Sequence, residues 1–205
     1  MTPGERWAEP LGVCSIEEDT RELARLAAEG GGRRALDMGT GTGYVAIYLA
    51  RRGFAVDAVD VSPRALQVAQ ANVTAAGVAV NVYRSDLFQA VDGRYDVIAF
   101  NPPMNARESE WTRWITSTLR RWTRLARALM RLGEPVRTSA RDRFLAGFLQ
   151  EARSHLTENG RVLLVLSPRE TQALVQAVPG AVVRGCVPVP SLPPLQIVTI
   201  GFEAS

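Results

Sequence analysis

Residues 36–43 read Leu36-Asp37-Met38-Gly39-Thr40-Gly41-Thr42-Gly43, a short apolar strand pattern that runs into a glycine-rich turn. A helical pattern follows over Val45–Arg52, and Gly53 ends it. Glycine is favoured where the backbone must turn tightly and approach a ligand closely, because a Cβ would prevent both. An ordinary strand-to-helix turn would look similar, and the spacing differs from the dinucleotide pattern Gly-x-Gly-x-x-Gly, which disfavours a nicotinamide cofactor. The stretch predicts a strand, a close turn and a helix.

Short apolar runs alternate with helical patterns along the rest of the chain. Such alternation is typical of βαβ units and a mainly parallel sheet. Prolines between the last two runs indicate an extended turn that joins two strands as an antiparallel hairpin. We therefore expect an α/β, Rossmann-like doubly wound seven-stranded sheet, mainly parallel with the last strand antiparallel. The predicted strands are Ala35–Met38, Phe54–Asp60, Val78–Arg84, Tyr95–Phe100, Arg161–Ser167, Val182–Val189 and Gln196–Phe202.

End signals predict three further helices. Ser62-Pro63 combines an N-cap with proline at the first helical position, and Gly77 is typical of the residue after a helix end. The other two are predicted over Ala140–Leu156, stopped by Asn159-Gly160, and over Pro168–Val178.

Length and composition set the class of protein. The 205 residues, 46% of them apolar and 22% charged, suit one globular α/β domain over residues 1–205. The start of the chain carries no secretory pattern, and the longest apolar run, Tyr44–Ala50, is well below the ~18 residues that a membrane helix needs. The cysteines Cys14 and Cys186 and the sole histidine, His155, have no metal-ligand spacing. We expect a cytoplasmic protein with no metal and no membrane contact.

Acidic residues lie at or just after the ends of the next two predicted strands. Asp60 lies about 17 residues beyond Gly43, where a carboxylate can accept hydrogen bonds from both hydroxyls of a ribose. Asp86, within Ser85-Asp86-Leu87, is positioned to accept a hydrogen bond from an adenine amino group. A helix-capping or exposed acid would explain Asp60 alone, and a solvated turn would explain Asp86 alone. Together with the glycine loop, the two acids indicate a nucleoside ligand.

The fourth predicted strand ends in Phe100-Asn101-Pro102-Pro103-Met104. Ligands of doubly wound sheets bind outside the carboxyl ends of the strands, so this motif lies next to the glycine loop. Two prolines fix an extended backbone without N–H groups, which leaves carbonyl acceptors, and Asn101 adds another. An amino or amide nitrogen bound by such acceptors has its lone pair aimed at an electrophile, which is catalysis by positioning. The alternative is a simple rigid turn.

At these positions the chain resembles the class I S-adenosylmethionine-dependent methyltransferases, whose first three motifs match Asp37–Gly43, Asp60 and Asp86. The resemblance covers roughly residues 18–202. It implies that S-adenosylmethionine is the cofactor and that the acid at Asp37 orders the glycine loop. The residues that it assigns to the cofactor are Asp37, Gly39, Thr40, Gly41, Gly43, Asp60, Val61, Asp86, Leu87 and Asn101.

The Asn-Pro-Pro motif is similar to that of the family branch that methylates exocyclic nitrogens of adenine or guanine, or the side-chain amide of glutamine. The similarity implies that Asn101, Pro102 and Pro103 are the catalytic residues. Asp19-Thr20 is similar to the Glu-Asp-Thr segment of the HemK-like glutamine methyltransferases, which adds both residues to the cofactor site, although a plain helix start would look the same. Met104 replaces the aromatic residue that usually follows the second proline, which puts the substrate in doubt.

An arginine-rich segment follows directly, predicted as a helical insertion over residues 105–139. Within residues 107–131, tryptophan and leucine recur at helical spacing while arginine occupies most of the polar face. Arginine with tryptophan suits RNA, through phosphate pairing and base stacking, and it also suits an acidic protein partner. The third alternative is an apolar face packed on the sheet with solvated arginines.

Two classes of function follow from these residues. The first is an N-methyltransferase acting on an RNA or DNA base or on a protein glutamine, with a small metabolite as a further possible acceptor. The second is a module that binds the cofactor or RNA without catalysis, and the intact Asn-Pro-Pro motif disfavours it.

Overall fold

The computed structural model describes residues 17–102 and 140–203. Pro103, Met104 and the arginine-rich segment of residues 105–139, with its helix over 107–131, lie outside the described residues, so these predictions remain predictions. The described elements are α1 (Glu18–Ala28), β1 (Arg34–Met38), α2 (Tyr44–Ala50), β2 (Ala55–Asp60), α3 (Pro63–Ala76), β3 (Asn81–Arg84), β4 (Tyr95–Phe100), α4 (Ala140–Ser154), β5 (Leu156–Leu166), α5 (Pro168–Ala177), β6 (Ala181–Pro188) and β7 (Gln196–Phe202).

The strands form one sheet in the order β3-β2-β1-β4-β5-β7-β6. β1 to β5 pair in parallel, whereas β7 runs antiparallel to both β5 and β6. The predicted seven-stranded, mainly parallel sheet with an antiparallel last strand is confirmed. The order reverses between β1 and β4, and sheets of this kind bind their ligands at the carboxyl edge of such a reversal.

The register aligns the carboxyl ends of four neighbouring strands. Met38, the last residue of β1, pairs with Val59 on β2 and with Phe100, the last residue of β4. Asp60 at the end of β2 pairs with Arg84 at the end of β3. The ends of these four strands and the segments that follow them carry the glycine loop, Asp60, Asp86 and Asn101, which therefore meet along one edge.

Apolar side chains on both faces explain why the central strands read as continuous apolar runs. Along β4, Val97 and Ala99 pack into the layer that includes α1 and α2, while Ile98 and Phe100 pack into the layer of α4 and α5. All four are at most 3% exposed. A strand buried on both faces needs apolar residues at every position, not at alternate ones.

One boundary prediction was wrong. α4 ends at Ser154, and β5 begins at Leu156 rather than at Arg161, so Asn159-Gly160 lies within a strand and does not stop the helix. The pairing with β4 shifts register between Tyr95, which faces Leu156, and Val97, which faces Arg161. A Cβ on Gly160 would lie 2.8 Å from the carbonyl oxygen of Tyr95. The glycine is thus explained by close approach of two backbones, which the sequence pattern did not distinguish from a turn.

The remaining boundaries match the prediction or differ from it by a few residues. β3 begins at Asn81 rather than at Val78, because its pairing with β2 begins where Asn81 faces Asp57. The predicted caps of α3 are confirmed: Ser62 accepts a hydrogen bond from the N–H of Ala65, and Gly77 adopts the left-handed conformation. Among the described helices, none has both the length and the apolar character of a membrane-spanning segment.

Candidate active site

The glycine loop between β1 and α2 is tied down by the buried carboxylate of Asp37. Its Oδ2 accepts hydrogen bonds from Thr40 Oγ1 at 2.6 Å and from the N–H of Ala46 in the first turn of α2 at 3.1 Å. Gly39, Gly41 and Gly43 all have left-handed φ angles, of 65°, 55° and 81°. This conformation favours glycine, which explains the three glycines of the motif.

Burial determines the protonation of Asp37. Removal from water raises the pKa of its carboxyl to about 7, although the hydrogen bonds from Thr40 and Ala46 act in the opposite direction. Desolvation disfavours a charged carboxylate, and here it outweighs the two donors. Asp37 therefore titrates near neutral pH and is a structural support of the loop.

Asp60 joins the end of β2 to the same loop. Its Oδ2 accepts from the N–H of Gly41 at 3.1 Å, and its Oδ1 accepts from the N–H of Ser62 at 2.9 Å. Burial raises the pKa of this carboxyl, against the hydrogen bonds from the backbone N–H groups of Ser62, Gly41 and Val61. A carboxylate has about four acceptor positions, so a further donor can bind beside these backbone N–H groups.

Beside Asp60, Val61 exposes 38% of its surface, an unusual exposure for a large apolar residue in the described part of the chain. In the turn after β3, the Ser85 hydroxyl donates to the Leu87 carbonyl at 2.6 Å and accepts from the N–H of Ala90 at 3.0 Å. Leu87 has a left-handed φ of 50° although it is not glycine, and it is buried. Ser85 thereby holds the Asp86-Leu87 backbone in a conformation that leucine seldom adopts.

Asn101, the first residue after β4, contacts the start of α1. Its Nδ2 donates to Asp19 Oδ2 at 2.9 Å and lies 3.4 Å from Thr20 Oγ1. Asp19 is buried, and its Oδ1 accepts from the N–H of Thr20 at 2.6 Å. Two segments that resemble the known family, Asp19-Thr20 and the Asn-Pro-Pro motif, are thus in direct contact through Asn101. Pro102 is buried next to them.

Asn72 on α3 is a loop-supporting residue that the sequence reasoning missed. Its Nδ2 donates to the carbonyl of Thr42 at 2.9 Å, and the residue is buried. A Cβ on Gly43 would lie 3.2 Å from the Cα of Ala69, so α3 packs directly against the loop. The available signal was an asparagine within the apolar pattern of a helix, where asparagine is a poor helix former and needs a partner.

The residues along this edge fit an adenosine-containing cofactor. Asp60 offers carboxylate oxygens that can accept a further hydrogen bond, and Val61 offers an exposed apolar surface for a flat base. On Gly39, a Cβ would lie 3.3 Å from the Phe100 ring, so a side chain at this point would crowd the ring. Among the described residues, no three His, Cys, Asp or Glu side chains form a group that could hold a metal ion.

A known protein family matches the part of the chain that carries the predicted motifs. Residues 15–127, more than half of the chain, match the family model of the methyltransferase small domain. The chain belongs to this methyltransferase family. The match contains the glycine loop, both predicted cofactor acids and the Asn-Pro-Pro motif, so the resemblance seen in the sequence is confirmed.

The relatives of this methyltransferase are named after two kinds of substrate. A release factor glutamine methyltransferase of Bacillus subtilis is 41% identical over 86 residues, which are 40% of this chain and 30% of that protein. A ribosomal RNA small subunit methyltransferase C of Chromohalobacter salexigens is 34% identical over 103 residues, 48% of this chain and 31% of that protein. The chain spans less than half of the length of the curated relatives that it matches first.

Solved structures share the methyltransferase fold. A 16S rRNA N2 methyltransferase of T. thermophilus, solved with AdoMet and guanosine, superposes with a TM-score of 0.61 at 18% identity, covering 94% of this chain and 44% of that one. At this identity the likeness establishes the fold alone.

Proposed function

We propose that this methyltransferase transfers a methyl group from S-adenosylmethionine to a planar amide or amino nitrogen of a macromolecule, and that the side-chain amide of a protein glutamine is the first acceptor to test. The observation that carries this proposal is the position of Asn101. It follows the strand next to β1, beside the glycine loop, and its side-chain nitrogen is already bound by Asp19. The carbonyl oxygen of its side chain is therefore the group that remains to accept a hydrogen bond from the nitrogen that is methylated.

The cofactor would bind along the edge formed by β1, β2 and β3. The glycine loop, which consists of Gly39, Thr40, Gly41 and Gly43, would pass the amino-acid end of the cofactor. Asp37 would order this loop. Asp60 would accept hydrogen bonds from the ribose hydroxyls, because a carboxylate is an acceptor at both of its oxygens. Val61, Asp86 and Leu87 would contact the adenine.

The acceptor would bind between Asn101 and the carbonyl groups of Pro102 and Pro103. Carbonyl acceptors bind the N–H groups of a planar nitrogen and turn its lone pair toward the methyl donor, so positioning provides the rate enhancement without a general base of unusual pKa. S-adenosylmethionine would supply the methyl group: the nitrogen lone pair would form the new C–N bond, the C–S bond would break with its electrons left on sulfur, and the nitrogen would release a proton to water.

The relatives support two acceptor classes. The similarity to a release factor glutamine methyltransferase and the Asp19-Thr20 segment favour glutamine. The similarity to a ribosomal RNA methyltransferase and the arginine-rich residues 107–131 favour an RNA base as the second candidate. In both cases we propose that residues 107–131 bind the macromolecule and that the protein works in the cytoplasm, where ribosomes and release factors occur.

The acceptor class can be tested with radiolabelled S-adenosylmethionine in a cell extract. The acid-precipitable label is digested separately with nuclease and with protease. Glutamine as acceptor predicts that protease releases the label and nuclease does not. Release by nuclease would replace glutamine with a nucleic-acid base, label only in the soluble fraction would indicate a small molecule, and no incorporation at all would contradict the methyltransferase proposal.

A further inference from the structure

The carboxylate of Asp19 contacts the side chain of Asn101, 82 residues away in the sequence. The sequence-based interpretation assigned Asp19 to the cofactor, whereas its hydrogen bonds in the structure are made with Asn101 and Thr20. We propose that Asp19 is a positioning residue that fixes the side-chain amide of Asn101 with its carbonyl oxygen toward the acceptor nitrogen. This inference rests on the proposed function and assigns one residue within it.

The chemistry of the contact determines which way the amide faces. A carboxylate has acceptors only, so the atom of Asn101 that faces Asp19 Oδ2 at 2.9 Å must be the NH2 group and not the oxygen. Thr20 Oγ1, at 3.4 Å from the same nitrogen, adds a second oxygen on that side. The amide oxygen is then left on the opposite side of the group. Asp19 is only 8% exposed, so water competes little for this hydrogen bond.

The orientation of the amide matters for methyl transfer. With its oxygen toward the acceptor, Asn101 accepts a hydrogen bond from the nitrogen's N–H and leaves the lone pair free to attack. A flipped amide would direct its NH2 group at that lone pair and occupy the electrons that form the new bond. One hydrogen bond therefore separates a productive site from a blocked one.

The second oxygen of Asp19 makes a sharp test possible. Oδ1 accepts from the N–H of Thr20 at 2.6 Å and from Thr20 Oγ1 at 3.2 Å. In Asp19→Asn the oxygen must stay on the backbone N–H, so the new NH2 group faces Asn101. Two NH2 groups repel, and Asn101 must turn its amide over to accept a hydrogen bond from the substituted side chain. The substitution keeps the shape of the side chain and inverts the polarity that Asn101 meets.

The variants Asp19→Asn and Asp19→Ala should therefore rank differently by rate and by stability. The probe is the initial rate of label transfer into an extract at saturating radiolabelled S-adenosylmethionine. We expect Asp19→Asn to lower this rate at least about tenfold, and Asp19→Ala to lower it less, because Asn101 can still sample its productive orientation. Stability should rank the other way, because Ala leaves more unmade contacts. A purely structural role would make Ala the worse variant in both measurements.

A double-mutant cycle separates this role from cofactor binding. If Asp19 acts through Asn101, the variant Asp19→Asn/Asn101→Ala should be no slower than Asn101→Ala alone. The dissociation constant of S-adenosylhomocysteine, measured by calorimetry, should change less than about threefold in Asp19→Asn. Multiplying losses of rate, or a cofactor loss as large as the rate loss, would overturn the inference. Glu18→Gln is the matched control, an exposed acid of the same helical turn, and should leave both quantities unchanged.

Nuclear magnetic resonance tests the contact itself without any acceptor. The side-chain NH2 resonances of Asn101, identified by their loss in Asn101→Asp, should shift in Asp19→Asn and remain in place in Glu18→Gln. Unchanged resonances in Asp19→Asn would refute the contact even if the enzyme is active. If the wild-type protein transfers no label although these resonances shift, the proposed function fails while the hydrogen bond stands.

Discussion

Asp37 supports the glycine loop with a carboxyl that burial makes reluctant to ionise. In the folded protein its pKa is raised to about 7 from an ordinary value of 3.8. A raised folded-state pKa means that the folded protein binds this proton more tightly than the unfolded chain does. The stability from the protonated group is fully present below about pH 4 and is lost as the pH rises through about 7.

We therefore predict that the free energy of unfolding of the wild-type protein falls by on the order of 2 kcal/mol between pH 5 and pH 8 relative to that of Asp37→Asn. Asparagine cannot ionise, so its curve lacks this contribution. Urea unfolding of both proteins at three pH values measures the difference in slope. Parallel curves would mean that Asp37 is ionised at pH 5 in the folded protein.

At the scale of elements, the turn between β1 and α2 is constrained in two separate ways. Gly43 has a left-handed φ of 81°, and its missing side chain also makes room for the backbone of α3 at Ala69. Gly53, after α2, has a similar φ of 85°, but a Cβ there would meet nothing within 4 Å. The two glycines thus separate the cost of the backbone conformation from the cost of crowding.

Gly53→Ala is predicted to destabilise the protein by about 1 kcal/mol, the usual cost of a left-handed alanine. Gly43→Ala should cost at least about 1 kcal/mol more, because the loop or α3 must also shift. It should also weaken S-adenosylhomocysteine binding, whereas Gly53→Ala should not. Urea unfolding and calorimetry measure both effects, and equal effects of the two substitutions would show that α3 does not constrain the loop.

The elements also show which structural features the sequence patterns could predict. Strand β4 and the caps of α3 were predicted to the residue, because apolar runs and the Ser-Pro and glycine signals depend on local chemistry. The start of β5 was not, because Gly160 is required by the close approach of the Tyr95 carbonyl on another strand. Likewise the motifs containing Asp19 and Asn101 were both identified, but their mutual hydrogen bond depends on how α1 packs beside β4. Contacts between distant segments leave no periodic signal in one sequence.

For the whole molecule, the two edges of the sheet differ in kind. The carboxyl edge carries the glycine loop, Asp60 and Asn101. At the amino edge the hydroxyl of the fully buried Tyr95 donates to Asp57 Oδ2 at 2.6 Å, and Asn81 donates to the other oxygen at 2.9 Å. We interpret this second network as a structural one that joins β2, β3 and β4.

Tyr95→Phe should accordingly reduce the free energy of unfolding by about 2 kcal/mol, the usual worth of a hydrogen bond to a charged group. The dissociation constant of S-adenosylhomocysteine should stay within about twofold, because the cofactor edge is intact. Unfolding and calorimetry on one preparation give both numbers. A cofactor affinity that falls together with stability would mean that the two edges are coupled.

We propose that two residues on one edge of this sheet have separate roles, with Asp60 binding the cofactor and Asn101 orienting the acceptor. The most direct measurement compares Asn101→Ala with Asp60→Ala, recording the methyl transfer rate at saturating S-adenosylmethionine and the dissociation constant of S-adenosylhomocysteine. We predict that Asn101→Ala lowers the rate at least about tenfold, on the order of 1.4 kcal/mol, with cofactor affinity nearly unchanged, and that Asp60→Ala weakens cofactor binding first. Equal losses of rate and affinity in Asn101→Ala would contradict the account.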